Sequence, residues 1–180
     1  NAKTADAGDR NNDGFPDFYS YGVYSFFPTF EYGTTLHLSD GMTGNYISNN
    51  NVFTSMFGGN EPYGGDMISA NLDDQFDLDI FIGGSTTPSG NNNPVAAVLF
   101  TTSTGYTMVS LIGLNSMRAV FVDYDNDGDL DLFYTGIDPD SGNVRLLGYR
   151  YDGGTSYTKV IDESDVNDDY GLHSGSITFG

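Results

Sequence analysis

The stretch DYDNDGDLD, residues 123–131, sets carboxylates at alternate positions around a single glycine. A loop of this pattern suits a hard cation, because calcium takes about six to eight oxygens at loose geometry and alternate side chains plus a main-chain carbonyl can supply them. Asp123, Asp125 and Asp127 present side-chain oxygens, and Asp129 offers its carbonyl. Gly128 takes backbone angles that side chains resist, and Asp131 closes the cage from the start of the next strand.

The frame recurs. GDRNNDGFPD, residues 8–17, supplies Asp9, Asn11, Asp13 and Asp17, with Phe15 at the carbonyl position, where no particular side chain is required. NLDDQFDLD, residues 71–79, supplies Asn71, Asp73, Gln75 and Asp79, with Asp77 at the carbonyl position. In this copy Asn71 and Gln75 replace acids and Phe76 stands where the glycine should be, so weaker binding is expected from fewer charges. The reading is two calcium sites and a third, weaker one. An EF-hand shares the opening but needs a glutamate at its twelfth position and flanking helices, whereas Tyr134 and Ser20 stand there in strand-like sequence. Asp, Asn and Gly also make plain turns, which explains one loop better than three in the same frame with the same flanks. Magnesium prefers stricter octahedral sites, which favours calcium.

The first ligands, Asp9, Asn71 and Asp123, lie 62 and 52 residues apart. Periods of this size fit one propeller blade per unit. Each unit reads as a strand before the loop (4–8, 67–71, 118–123), a strand after it (18–22, 80–84, 132–136) and two more. The further pairs fall at 34–38 and 52–56, at 95–102 and 106–111, and at 144–151 and 156–161. No apolar series at helical spacing exceeds two turns, so the expected class is all-β: a β-propeller of four-stranded blades at about 1–65, 66–115 and 116–173. SGSITFG, residues 174–180, reads as the first strand of a fourth blade whose acidic loop would begin at position 181. Three blades and a strand are expected to belong to a larger propeller of six to eight blades, or to be completed by partner chains.

Within each unit the residue closing the loop begins a strand, and alternate strand residues face opposite sides. Asp131 is therefore expected to face the ion while Leu130 and Leu132 face the core, as with Leu78 and Ile80 about Asp79, and Pro16 and Phe18 about Asp17.

Composition narrows the function. With 25 acidic and 6 basic residues the net charge is -19, which repels a phosphate backbone and excludes nucleic acid as a partner. Only Glu31, Glu61 and Glu163 are glutamates, and this bias toward the shorter carboxylate suits chelating turns better than a solvated tail. Hydrophobic residues make up 38% of the 180 and aromatics 14%, enough for a core, and no run of about 18 apolar residues spans a membrane. The first ten residues lack the apolar centre of a signal peptide, as in a mature protein or an excised fragment. No cysteine is present, which leaves the redox compartment open.

DYDNDGDLDL followed by FYTG, together with the SITFG ending, resembles the FG-GAP/VCBS repeats of integrin α-subunit propellers and many secreted bacterial proteins. The resemblance covers essentially the whole chain as three blades, and the loop motif carries most of it. It implies a calcium-binding β-propeller in an extracellular setting, secreted or at the cell surface, with a non-catalytic binding, scaffold or adhesion role toward a protein or glycan. Calcium sites outside the cell are weak, roughly 10⁻⁴ to 10⁻³ M, which fits that compartment.

Two other readings stand beside this one. A polysaccharide lyase, glycoside hydrolase or lectin on the same fold would need groups the chain offers sparingly: Glu31 and Glu61 are the first carboxylates to test, and neither His37 nor His173 falls in a catalytic or metal signature. A subunit of an extracellular filament or surface assembly would self-associate. Partner contacts are expected in the long connections 21–32, 57–65 and 85–94. The aromatics crowding the first two, among them Tyr21, Tyr24, Phe57 and Tyr63, pack between blades more readily than they stack on sugars.

Overall fold

Short β-branched and aromatic runs bounded by Asp, Asn and Gly turns fit a pleated surface better than a helix. Accordingly, the computed structural model, which describes residues 2–11, 13–23, 32–41, 46–50, 52–59, 62–75, 77–86 and 93–164, contains strands and, among those residues, no helix. The chain is all-β. Three antiparallel sheets of four strands follow one another. The first holds β1 (Ala2–Gly8), β2 (Asp17–Val23), β3 (Tyr32–Ser39) and β4 (Tyr46–Asn50). The second holds β5 (Tyr63–Ala70), β6 (Asp79–Ser85), β7 (Pro94–Thr102) and β8 (Gly105–Leu111). The third holds β9 (Asn115–Val122), β10 (Asp131–Ile137), β11 (Val144–Tyr151) and β12 (Tyr157–Ser164). Within each sheet spatial order follows chain order, as short hairpin connections require.

The middle sheet is covered on both faces. Phe81, Ala96, Val98 and Phe100 pack with Leu114, Met117, Leu132, Tyr134 and Leu147 toward the third sheet. On the opposite face Ile80, Ile82, Ala97 and Leu99 pack with Tyr19, Leu36 and Phe53 toward the first. All seven residues of β6 are therefore buried, and its sequence DIFIGGS runs apolar or small after the aspartate where a one-sided strand would alternate. Each large side chain so buried contributes about 1.5–3 kcal/mol relative to exposure.

Strand β5 runs beside both β1 and β9, and carboxylates fasten the sheets there. Asp6 on β1 accepts the Ser69 N–H of β5, and Asp66 on β5 accepts the Ala119 N–H of β9 at 3.0 Å. Within the middle sheet, the irregularity of β5 between Tyr63 and Asp66 demands a glycine: a Cβ on Gly65 would lie 2.1 Å from the Gly83 carbonyl oxygen of β6, main chain against main chain.

One strand falls elsewhere than the sequence suggests. Residues 52–56 form turns, and the fourth strand of the first sheet is β4, just before them. The Met56 N–H bonds to the Phe53 carbonyl and the Gly59 N–H to that of Thr54, both at 2.9 Å, while Phe53 is wholly buried between the first and second sheets. An apolar run that plugs an interface has the same composition as one that lines it. Phe76, Glu31, Glu61, His173, most of 21–32 and the segment 174–180 lie outside the described residues.

Candidate metal centre

The residue ending each acidic loop starts the second strand of its sheet and is buried: Asp17 at 1% exposure, Asp79 at 1% and Asp131 at 0%. A carboxylate there requires partners, and the main chain supplies them twice. One oxygen accepts an N–H from the residue after the loop's first ligand: Arg10 to Asp17 at 3.1 Å, Leu72 to Asp79 at 2.9 Å and Tyr124 to Asp131 at 2.9 Å. The other accepts an N–H from near the end of the third strand: Ser39 to Asp17 at 2.8 Å, Thr101 to Asp79 at 2.8 Å and Tyr151 to Asp131 at 2.9 Å. The loop is thereby tied to the sheet in all three units. Sequence reasoning missed Ser39, Thr101 and Tyr151 because main-chain donors leave no mark in residue type.

In the third loop the oxygens of Asp123, Asp125 and Asp131 come within 4.8 Å of one another, the one such acidic group among the described residues. Asp123 Oδ2 accepts the Gly128 N–H at 3.2 Å, whereas its Oδ1 is buried with no hydrogen-bond partner among the described residues. Desolvation and the charges of Asp127 and Asp131 raise the Asp125 carboxyl above its ordinary range. An orphaned, buried carboxylate oxygen beside two further carboxylates has the donor chemistry of a hard-cation site. Gly128 takes φ 99° and Asn126 φ 61°, the left-handed turns that fold the loop inward. Asp127 Oδ1 accepts the Asp129 N–H at 3.0 Å, and neither residue joins the group of three.

The first loop is held by its own main chain. Asp9 accepts N–H bonds from Asp13 at 3.0 Å and Gly14 at 2.8 Å, Gly14 having φ 86°. Asp13 Oδ1 accepts the Phe15 N–H at 2.9 Å, and its Oδ2 accepts the Asn11 amide at 3.0 Å. Phe15 is exposed and lies against Gly41. Pro16 is exposed and Phe18 half-buried, stacked on His37 at 4.2 Å, so the expected core face of this unit is at the surface. His37 bonds Ser20 at 3.1 Å and Ser48 at 2.8 Å.

In the second loop Asp73 Oδ1 accepts the Gln75 N–H at 3.1 Å, and Asn71 donates its amide to the Gln75 carbonyl. Asp74 adopts φ 58°, the left-handed turn here falling to a residue with a side chain. Asp77 is partly buried, and burial pushes the Asp79 carboxyl up to about 6 against the pull of its two N–H bonds.

The residue after the first ligand also reaches the neighbouring sheet. Arg10 donates to Tyr19 at 2.8 Å and to Tyr106 at 2.7 Å, and its guanidinium carbon lies 5.3 Å from the Tyr106 ring centre. In the second unit Leu72 takes this position, Phe81 replaces Tyr19 and Tyr157 replaces Tyr106. The interface there is apolar, and the Tyr157 hydroxyl is buried without a partner among the described residues.

No described helix is long and apolar enough to cross a membrane. Compared with known proteins, the chain matches no family model and no curated protein sequence.

Proposed function

We propose that the chain is a calcium-binding repeat module of the β-propeller type, each four-stranded sheet serving as a blade, with an extracellular, non-catalytic binding or scaffold role toward a protein or glycan. The observation that carries the reading is the unpartnered buried Oδ1 of Asp123 beside Asp125 and Asp131 in a loop whose frame recurs twice. Meander sheets in series, fastened to one another through β1, β5 and β9, support the blade assignment. Bound calcium would supply the positive charge that three clustered carboxylates call for, while Asp17, Asp79 and Asp131 hold the loops in place through main-chain bonds.

Thermal melting with millimolar calcium against EDTA tests this. A ligand bound only by the native state raises Tm by mass action. Equal melting in both, with Asp125→Asn behaving as wild type, would remove the metal assignment.

A second reading, a self-associating subunit of an extracellular assembly, draws on the exposed Tyr124 (47%) of the third loop and Val160 (38%) of the third sheet. Mass measured across a concentration series separates the two.

A further inference from the structure

We propose that Arg150 sets the divalent-cation affinity of the third loop, as a counter-charge against which the ion must bind. The inference rests on the calcium reading above. The β10–β11 ladder pairs Leu132 with Tyr149, and one step further in that register sets Arg150 opposite Asp131, the deepest acid of the group. The same step in the other sheets sets Leu38 opposite Asp17 and Phe100 opposite Asp79. Only the third loop therefore carries a cation at this place, in a chain with six basic residues in all.

The Arg150 side chain is 42% exposed and its guanidinium bonds Asp152, with Nε 2.8 Å and Nη2 2.7 Å from Oδ1. Asp152 is itself held by the Thr158 hydroxyl at 2.5 Å. The bond to Asp152 chiefly favours the charged form of Arg150, and the negative charges of Asp125 and Asp127 add a smaller contribution in the same direction. Arg150 thus stands between two sets of acids, one that binds the ion and one that holds the arginine. Like charges repel by an amount that salt screens, so the arrangement lowers ion affinity and makes it depend on ionic strength.

Two substitutions should then act in opposite directions. Arg150→Gln removes the counter-charge and tightens calcium binding roughly three- to tenfold at low salt. Asp152→Asn frees the guanidinium toward the loop and weakens binding. The experiment is calorimetric titration with calcium chloride, at about 20 mM and about 500 mM salt. The third-loop component is the heat that Asp125→Asn abolishes. Arg150→Lys keeps the charge and should titrate as wild type, and the Arg150→Gln gain should fade at high salt. If wild type binds but Arg150→Gln is unchanged or weaker, or Arg150→Lys is as tight as Arg150→Gln, the inference is overturned and the calcium reading stands. If wild type gives no heat that Asp125→Asn removes, the calcium reading fails and the inference with it.

Discussion

Asp131 Oδ1 accepts the Tyr151 N–H at 2.9 Å, tying the first residue of β10 to the last residue of β11. Asp79 is tied likewise to Thr101, one residue before the end of β7, and Asp17 to Ser39, the last residue of β3. A carboxylate read from sequence as a metal ligand is first of all a bracket between loop and sheet, and in the third loop it stands with Asp123 and Asp125 in one acidic group.

The bracket should be separable from ion binding. Asp79→Asn keeps the shape but turns an amide N–H toward a main-chain donor, so one buried N–H loses its acceptor. Such a loss costs about 1–3 kcal/mol. Urea unfolding in EDTA should show that destabilisation, and a midpoint equal to wild type would contradict the bracket.

At the third loop the sign should reverse. Asp125→Asn relieves repulsion among crowded carboxylates, so in EDTA its Tm should equal or exceed that of wild type, while the rise on adding calcium disappears. Asp127→Ala should also weaken calcium binding more than Gln75→Ala does, and the opposite order in calorimetry would show the loops misranked.

The two interfaces of the middle sheet predict contrasting tyrosine effects. Tyr106→Phe deprives Arg10 of an acceptor and should cost about 1.5–3 kcal/mol, the range for hydrogen bonds to charged groups. Tyr157→Phe removes a hydroxyl without a partner among the described residues and should be neutral or stabilising. Equal losses in chemical denaturation would refute the distinction.

The third sheet should lose stability in acid. Hydrogen bonds from Arg145, then from Lys159, hold the Asp162 carboxyl down at about 2. Because the folded value lies below the ordinary one, the contribution is present above about pH 4 and is lost as pH falls toward 2. The group is solvent-accessible, so screening leaves at most about 1 kcal/mol. Asp162→Asn should flatten the decline of Tm over that window, and an unchanged decline would assign it to other carboxylates.

The acidic loops and the strand class are legible in the residues alone. Asp, Asn and Gly at fixed spacing act over a few residues, and this local chemistry is written in residue types; so is the alternation that marks most strands. Tertiary structure decided what depends on distant partners. It made β4 the edge of the first sheet and folded 52–56 into turns, because Phe53 fills a space between two sheets. Across 63 residues it joined Asp6 to Ser69, and across 96 it joined Arg10 to Tyr106. It also paired Leu132 with Tyr149, and continuing that register by one step, not residue type, brings Arg150 level with Asp131. The physical reason is the same each time: a ligand loop needs only its own chain, whereas the charge and packing around it come from strands that meet only when the sheets form.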